Sequence, residues 1–349
     1  MSLESADVVD GPDPSSSPAA NAPQRHPLAD RAPPAAVLAA SADRRPAPAP
    51  RKEPKPAPVV RWLPTGTGVW LHEWRRSEQG HALEVVQRAR RANVSHLYVQ
   101  TGSSRKGWIG QQVLSQLLPA TKGTDLKVIA WDFPKLDEPE KDARRLARAA
   151  FWHRDGVPMV AAVAPDVETS AEGTRATPER VRRYYAALRK ALPRRTAILA
   201  TVPWPSEKRT GSYPYAVTAP FAEAFVPMAY WYNRSPTTVT ATSMTWLARF
   251  GKPVMPVGQG YDGRLDAPYL RADLSPRKSV EAFSYAARSR GAQSISLWSW
   301  QTTGAEQWAV LGEASRFFAP GQVGAGQPVS ALKRLADRPP HSRRSVSPG

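Results

Sequence analysis

The feature that most constrains the fold is a rhythm. Between residues 61 and 319, eight short β-rich runs alternate with helical patterns. The runs are "GVWLHEW" (68–74), "SHLYVQ" (95–100), "LKVIAWDF" (126–133), "MVAAVAPDV" (159–167), "TAILATVPW" (196–204), "AFVPMAYWY" (224–232), "PVMPVGQ" (253–259) and "SISLWSW" (294–300). Between them the apolar period becomes helical: Ala82, Val85, Val86 and Ala89 fall at i, i+3, i+4 and i+7. Thr177–Pro178 and Ser275–Pro276 read as helix starts, an oxygen-bearing cap followed by a proline already fixed at helical φ. Val280, Phe283 and Ala287 continue the second of these helices, which ends at Gly291. The fifth connection, "PSEKRTGSYPYAVTAPFAE", is irregular. Eight such units in about 260 residues have the size and order of a (β/α)8 TIM barrel. A doubly wound open sheet is the alternative, but it calls for a glycine-rich first turn, and the first turn here is "HEWRRSEQG".

The flanks have a different composition. Residues 1–60 contain 13 of the 36 prolines and none of the 12 tryptophans. Stretches such as "RRPAPAPRKEPKPAPVV" bury too little apolar surface to offset chain entropy, so 1–60 is expected to be a disordered Pro/Ala-rich tether. Residues 320–349 are expected to be a disordered basic tail, leaving 61–319 as the barrel. The chain has no cysteine, which excludes disulfides, thiolate metal sites and a cysteine nucleophile. No run of about 18 apolar residues marks a transmembrane helix. "PPAAVLAASADRR" ends like a signal cleavage site, but its apolar stretch is too short, and no signal peptide is visible. The formal net charge of +18 favours anionic partners, and no helix-turn-helix, zinc-finger or RNA-binding signature accompanies it.

In a barrel the chemistry lies at the C-terminal ends of the strands. Those ends carry His72, Glu73 and Trp74, then Gln100, Trp131 and Asp132, then Asp166 and Glu168, then Trp204. Tyr230, Trp231, Tyr232, Gln259, Tyr261, Asp262, Trp298, Trp300 and Gln301 complete the set. Acids, amides and aromatic rings dominate, and lysine and arginine are sparse. Flat apolar ring faces suit the C–H faces of sugars, and acids and amides suit their hydroxyls. The plainer reading is that the tryptophans fill the barrel top. Asp166 and Glu168 lie two residues apart on an extended strand and so share a side. Two adjacent carboxylates do not both ionise cheaply, so one pKa rises, which suits an acid for glycosidic cleavage. The competing reading is a surface ion pair, with Arg175 the nearest partner in sequence.

"PDVE", "FVPMAYWY" and "LWSW" resemble the fourth, sixth and eighth strand ends of glycoside hydrolase family 18 (chitinase-type) barrels. The fourth strand is also similar to that of family 25 (lysozyme-type) barrels, which likewise ends in Asp-x-Glu. The resemblance implies Glu168 as general acid, Asp166 as the residue orienting a substrate acetamido group, Tyr230 as its holder and Trp298 as the floor beneath the sugar. It implies that the N-acetyl oxygen attacks the anomeric carbon. Tyr232, Trp300, Trp131, Asp132, Glu73 and Gln259 are expected to complete the substrate site. The family 18 pattern Asp-x-x-Asp-x-Asp-x-Glu is incomplete: Ala161 and Ala164 stand at its first two acids, and Trp231 stands where an Asp usually follows the sixth-strand Tyr. The family 25 pattern would have an Asp on the first strand. A non-catalytic carbohydrate or cell-envelope binding barrel is therefore the alternative to a glycosidase acting on a chitin- or peptidoglycan-like glycan.

"GQGYDG" (258–263) matches a nucleotide-binding glycine pattern, but Pro268 argues against the helix that would bind the phosphates. His72, Glu73 and Asp132 have no metal-ligand spacing. No cofactor or metal is expected. The expected partners are a glycan and an anionic cell-envelope polymer, with no specific nucleic acid and no second copy of the chain. The cell envelope or exterior is the favoured location, with a cytoplasmic one left open.

Overall fold

The computed structural model describes residues 59–262 and 274–318. The expected tether up to residue 58, the expected tail 320–349 and Pro268 lie outside the described residues.

The alternation folds into a closed parallel barrel. Its strands are β1 (Gly66–Leu71), β2 (His96–Ser103), β3 (Lys127–Phe133), β4 (Ala162–Pro165), β5 (Ala197–Pro203), β6 (Ala224–Met228), β7 (Val257–Gln259) and β8 (Ser294–Trp298). Each pairs in parallel with its neighbours, and β1 closes the ring against both β2 and β8, with Trp70 level with Tyr98 and Trp298. A two-residue antiparallel strand, Gly107–Trp108, is appended to β2. The helices are α1 (Ala82–Arg91), α2 (Gly110–Ala120), α3 (Pro139–Phe151), α4 (Pro178–Ala191), α5 (Glu207–Thr210), α6 (Tyr215–Thr218), α7 (Pro236–Ala248), α8 (Pro276–Arg288) and α9 (Ala305–Ser315). The caps read from sequence form: the hydroxyls of Thr177 and Ser275 accept the Arg180 and Lys278 backbone N–H groups. The irregular fifth connection is the pair of four-residue helices α5 and α6.

Two apolar layers result, because side chains alternate along each strand. Outward residues such as Val69, Leu97, Val163, Ile198, Phe225 and Leu297 meet the helices. Inward residues fill the barrel unevenly. Trp70, Tyr98, Trp131 and Trp298 crowd the side formed by β1, β2, β3 and β8, with Trp70 and Tyr98 stacked at 4.2 Å. Ala162, Ala164, Ala197 and Ala224 line β4 to β6 opposite them. This pairing of large and small explains why the fourth strand is rich in alanine: the aromatic half needs the volume. Gly68 is required for a similar reason, since a Cβ there would lie 2.3 Å from Nε2 of the fully buried His96.

Candidate active site

The alanine phase of β4 continues past the strand end. Ala162 and Ala164 point inward, and the same alternation brings Asp166 and Glu168 to the inner side of the barrel mouth. Asp166 is 6% exposed, and its Oδ1 has no hydrogen-bond partner. Its neighbour across the ladder is Thr201 of β5, whose buried hydroxyl is also without a partner. Glu168 is half-buried and, among the described residues, forms no ion pair. Between the two acids, the Val167 carbonyl accepts the Tyr213 hydroxyl at 2.7 Å, which fixes the backbone that carries them.

Burial pushes both carboxyls above the ordinary range. For Asp166 the negative charges of Asp132 and Glu172 add to that effect, and for Glu168 those of Asp166 and Glu172 do so. Arg209 opposes the rise at Glu168. Arg175, the expected alternative partner, pairs instead with Asp137 at 3.1 Å. Glu172 is committed locally, because its carboxylate accepts the Thr169 backbone N–H and hydroxyl in a capping box.

Aromatic rings complete the inner wall. Trp298 and Trp131 meet edge to face at 5.5 Å, and the His72 ring lies 5.4 Å from Trp298 and 5.9 Å from Trp131. His72 thus joins this wall, and burial, then the Lys106 charge, pushes its imidazole below the usual range. Tyr230 is half-buried beside the acids, and burial followed by their charges pushes its phenol up. Tyr261 bridges Tyr230 and Tyr232 at 6.4 and 6.2 Å between ring centres. Tyr232 is 41% exposed and takes a left-handed φ of +49°, uncommon for a bulky residue. Its backbone N–H donates to Gln259 Oε1 at 2.8 Å, and Gln259 Nε2 donates to the Tyr261 carbonyl at 3.2 Å. Gln259 therefore clamps two loops rather than presenting a free amide.

Three expected ligands are placed elsewhere. Asp132 follows the inward Trp131 and so faces the helices, fully buried, where Arg145 of α3 grips it at 2.6 and 2.7 Å. Burial pushes this carboxyl up while the two arginine contacts pull it down, and the same contacts raise the guanidinium. The bidentate geometry keeps both charged. Glu73 alternates outward from His72 and pairs with Arg76 at 3.4 Å. Trp300 leaves the strand line: its backbone N–H donates to the Trp70 carbonyl, and its ring packs against Trp308 at 4.9 Å in the outer layer. Among the described residues, no group of three or more His, Asp or Glu side chains could hold a metal ion.

A closed parallel barrel of this kind is found in solved enzymes. A GH99 endo-α-mannosidase from Bacteroides thetaiotaomicron superposes with a TM-score of 0.52 at 14% identity, covering 74% of this chain and 98% of that one. An endo-1,4-β-mannanase from Rhizomucor miehei gives 0.52 at 8% identity over 73% and 94%. A class V chitinase from Pseudomonas fluorescens gives 0.50 at 10% identity over 72% and 99%. The chain has a divergent glycoside hydrolase-like fold. No protein-family model and no curated protein sequence matches it. In this glycoside hydrolase-like barrel, sequence reasoning overlooked Thr201, whose inward phase follows from Ala197 and Leu199. It also overlooked Arg209, in the four-residue helix α5, and Arg234, in the turn after β6, both too short for a periodicity to show.

Proposed function

We propose that the barrel hydrolyses a β-linked N-acetylated glycan, with Glu168 as general acid and Asp166 as the partner of the substrate acetamido group. The observation that carries this reading is the pair of inward carboxyls on β4, neither with a neutralising partner and both with their pKa raised by burial. A carboxyl that keeps its proton near neutral pH can pass it to a glycosidic oxygen. The buried, unpartnered Oδ1 of Asp166 suits the acetamido N–H as donor. As the C1–O bond breaks, the acetamido carbonyl oxygen bonds to C1. Water then attacks C1, the acetamido group is released, and the water proton returns to Glu168. Of the acids expected in the substrate site, Asp132 is gripped by Arg145 and Glu73 points outward to Arg76, which favours a nucleophile supplied by the substrate. Trp298, half-buried, offers the sugar a flat face, with the buried Trp131 packed against it edge to face, and Tyr230 stands beside the acids.

The test is turnover of fluorogenic N-acetylglycosides by the wild type and Glu168→Gln. Loss of turnover with glycan binding kept supports the assignment, and unchanged turnover contradicts it. A second reading, a non-catalytic glycan binder, draws on Ala161 and Ala164 standing where the family 18 pattern has acids. It predicts binding without turnover in the wild type itself.

A further inference from the structure

The strand ends carry few cations, yet the loops beside the acid pair supply several. A groove of about 660 Å³ lies between the loops that follow β4, β5 and β6, starting at Thr169, the residue after Glu168. Its apolar wall is Trp204 and Tyr232. The guanidinium carbons of Arg209 and Arg234 both lie over the Trp204 ring, 6.0 and 5.9 Å from its centre. Lys208 and one carboxylate, Glu207, also line the groove, so cations outnumber acids there by three to one. Among the described residues, neither arginine forms an ion pair. Two like charges drawn to one indole, neither in an ion pair and both beside the loop that follows the candidate acid, are poorly placed for structure alone. They are well placed for an oxyanion, because an arginine fork matches carboxylate and phosphate geometry.

Building on the glycosidase reading, we infer that the substrate is an anionic glycan. One of its sugars, seated in the groove beside Trp204 and Tyr232, places a carboxylate or phosphate substituent between Arg209 and Arg234. The same charge assists the chemistry. Arg209 is the nearby group that favours ionised Glu168, and an anion seated against it offsets that pull and helps the acid keep its proton.

The experiment measures binding by calorimetry to the full-length Glu168→Gln chain, which holds substrate without consuming it. Three probes are compared: a neutral N-acetylglucosamine tetramer, the same backbone with lactyl carboxylates on alternate sugars, and the backbone carrying a 6-phosphate. The expected result is an anionic tetramer bound about tenfold tighter than the neutral one, with that advantage shrinking as salt rises. Adding Arg209→Gln and Arg234→Gln should remove the advantage and leave the neutral tetramer within about threefold of its starting affinity. The salt series needs no arginine substitution, so it stands even if that variant folds poorly. Whichever anionic probe gains identifies the substituent. Equal affinity for all three probes overturns the anionic substrate, a preference that survives loss of both arginines overturns their role in recognising it, and neither result touches the glycosidase reading. Failure to bind any of them overturns the glycan reading with it.

Discussion

A carboxyl that must hold its proton near neutrality is a burden on the fold as well as a tool. Glu168 is such a group, because burial and the Asp166 and Glu172 charges raise its pKa above the ordinary 4.5. The sign of the linkage follows: the folded state binds this proton more tightly than the unfolded chain. Its contribution to stability is therefore fully present below pH 4.5 and is lost as pH rises through the folded value. Glu168→Gln keeps the shape and removes the ionisation. The variant is expected to be more stable than wild type at pH 7.5 and equal to it near pH 4. Urea unfolding at the two pH values checks this, and a variant less stable than wild type at pH 7.5 would speak against a strained acid. Thr201 is the companion at this scale. Its unpartnered hydroxyl beside Asp166 is available to a substrate, so Thr201→Val is expected to weaken glycan binding while leaving the unfolding free energy within about 0.5 kcal/mol of wild type.

At the scale of elements, β3 and α3 are joined by a buried charge cluster. Arg145 bridges Asp132 and Asp142, and Asp142 in turn accepts the Ser104 hydroxyl and the Leu136 backbone N–H. The Asp132 carbonyl also accepts the Asp166 N–H at 2.9 Å, so this cluster braces the edge that carries the acids. Asp132→Ala leaves Arg145 buried and half-paired, and a loss of about 3–5 kcal/mol is expected in chemical denaturation. Activity per folded molecule should change far less than with Glu168→Gln. The reverse outcome, normal stability with abolished turnover, would return Asp132 to the substrate site. All eight strands were legible because each run is short and apolar and is followed by a capped helix or a loop. That Asp166 and Glu168 share a side was legible from their spacing, and the structure turns that side inward, in phase with Ala162 and Ala164. Asp132 was misjudged because a strand end does not reveal phase: Trp131 and Asp132 are neighbours, one facing in and one out. Trp300 was misjudged because the chain bends after Trp298, and nothing in "LWSW" marks where alternation stops. The arginine groove was invisible because it is assembled from three connections separated in sequence.

At the scale of the whole molecule, the barrel is a rigid, lopsided scaffold, with rings on one side and alanines with acids on the other. Its closed end holds a second titrating group. Burial pushes the His96 imidazole from 6.5 down to about 3. Here the unfolded chain binds the proton more readily, so stability is present above pH 6.5 and is lost as pH falls toward about 3. The acid pair runs in the opposite direction, so the clean readout is a difference. The stability margin of wild type over His96→Gln is expected to shrink steadily from pH 7 to pH 4, and a margin independent of pH would contradict a neutral, buried imidazole. The measurement that bears most directly on the central claim uses a matched pair of substrates. A fluorogenic N-acetylated glycoside oligomer and its N-deacetylated counterpart are each assayed with wild type and Glu168→Gln. Acid catalysis with substrate assistance predicts cleavage of the acetylated oligomer by wild type only. It predicts no cleavage of the deacetylated oligomer, although wild type still binds it. Brisk cleavage of the deacetylated oligomer, or turnover by Glu168→Gln matching wild type, would contradict the account.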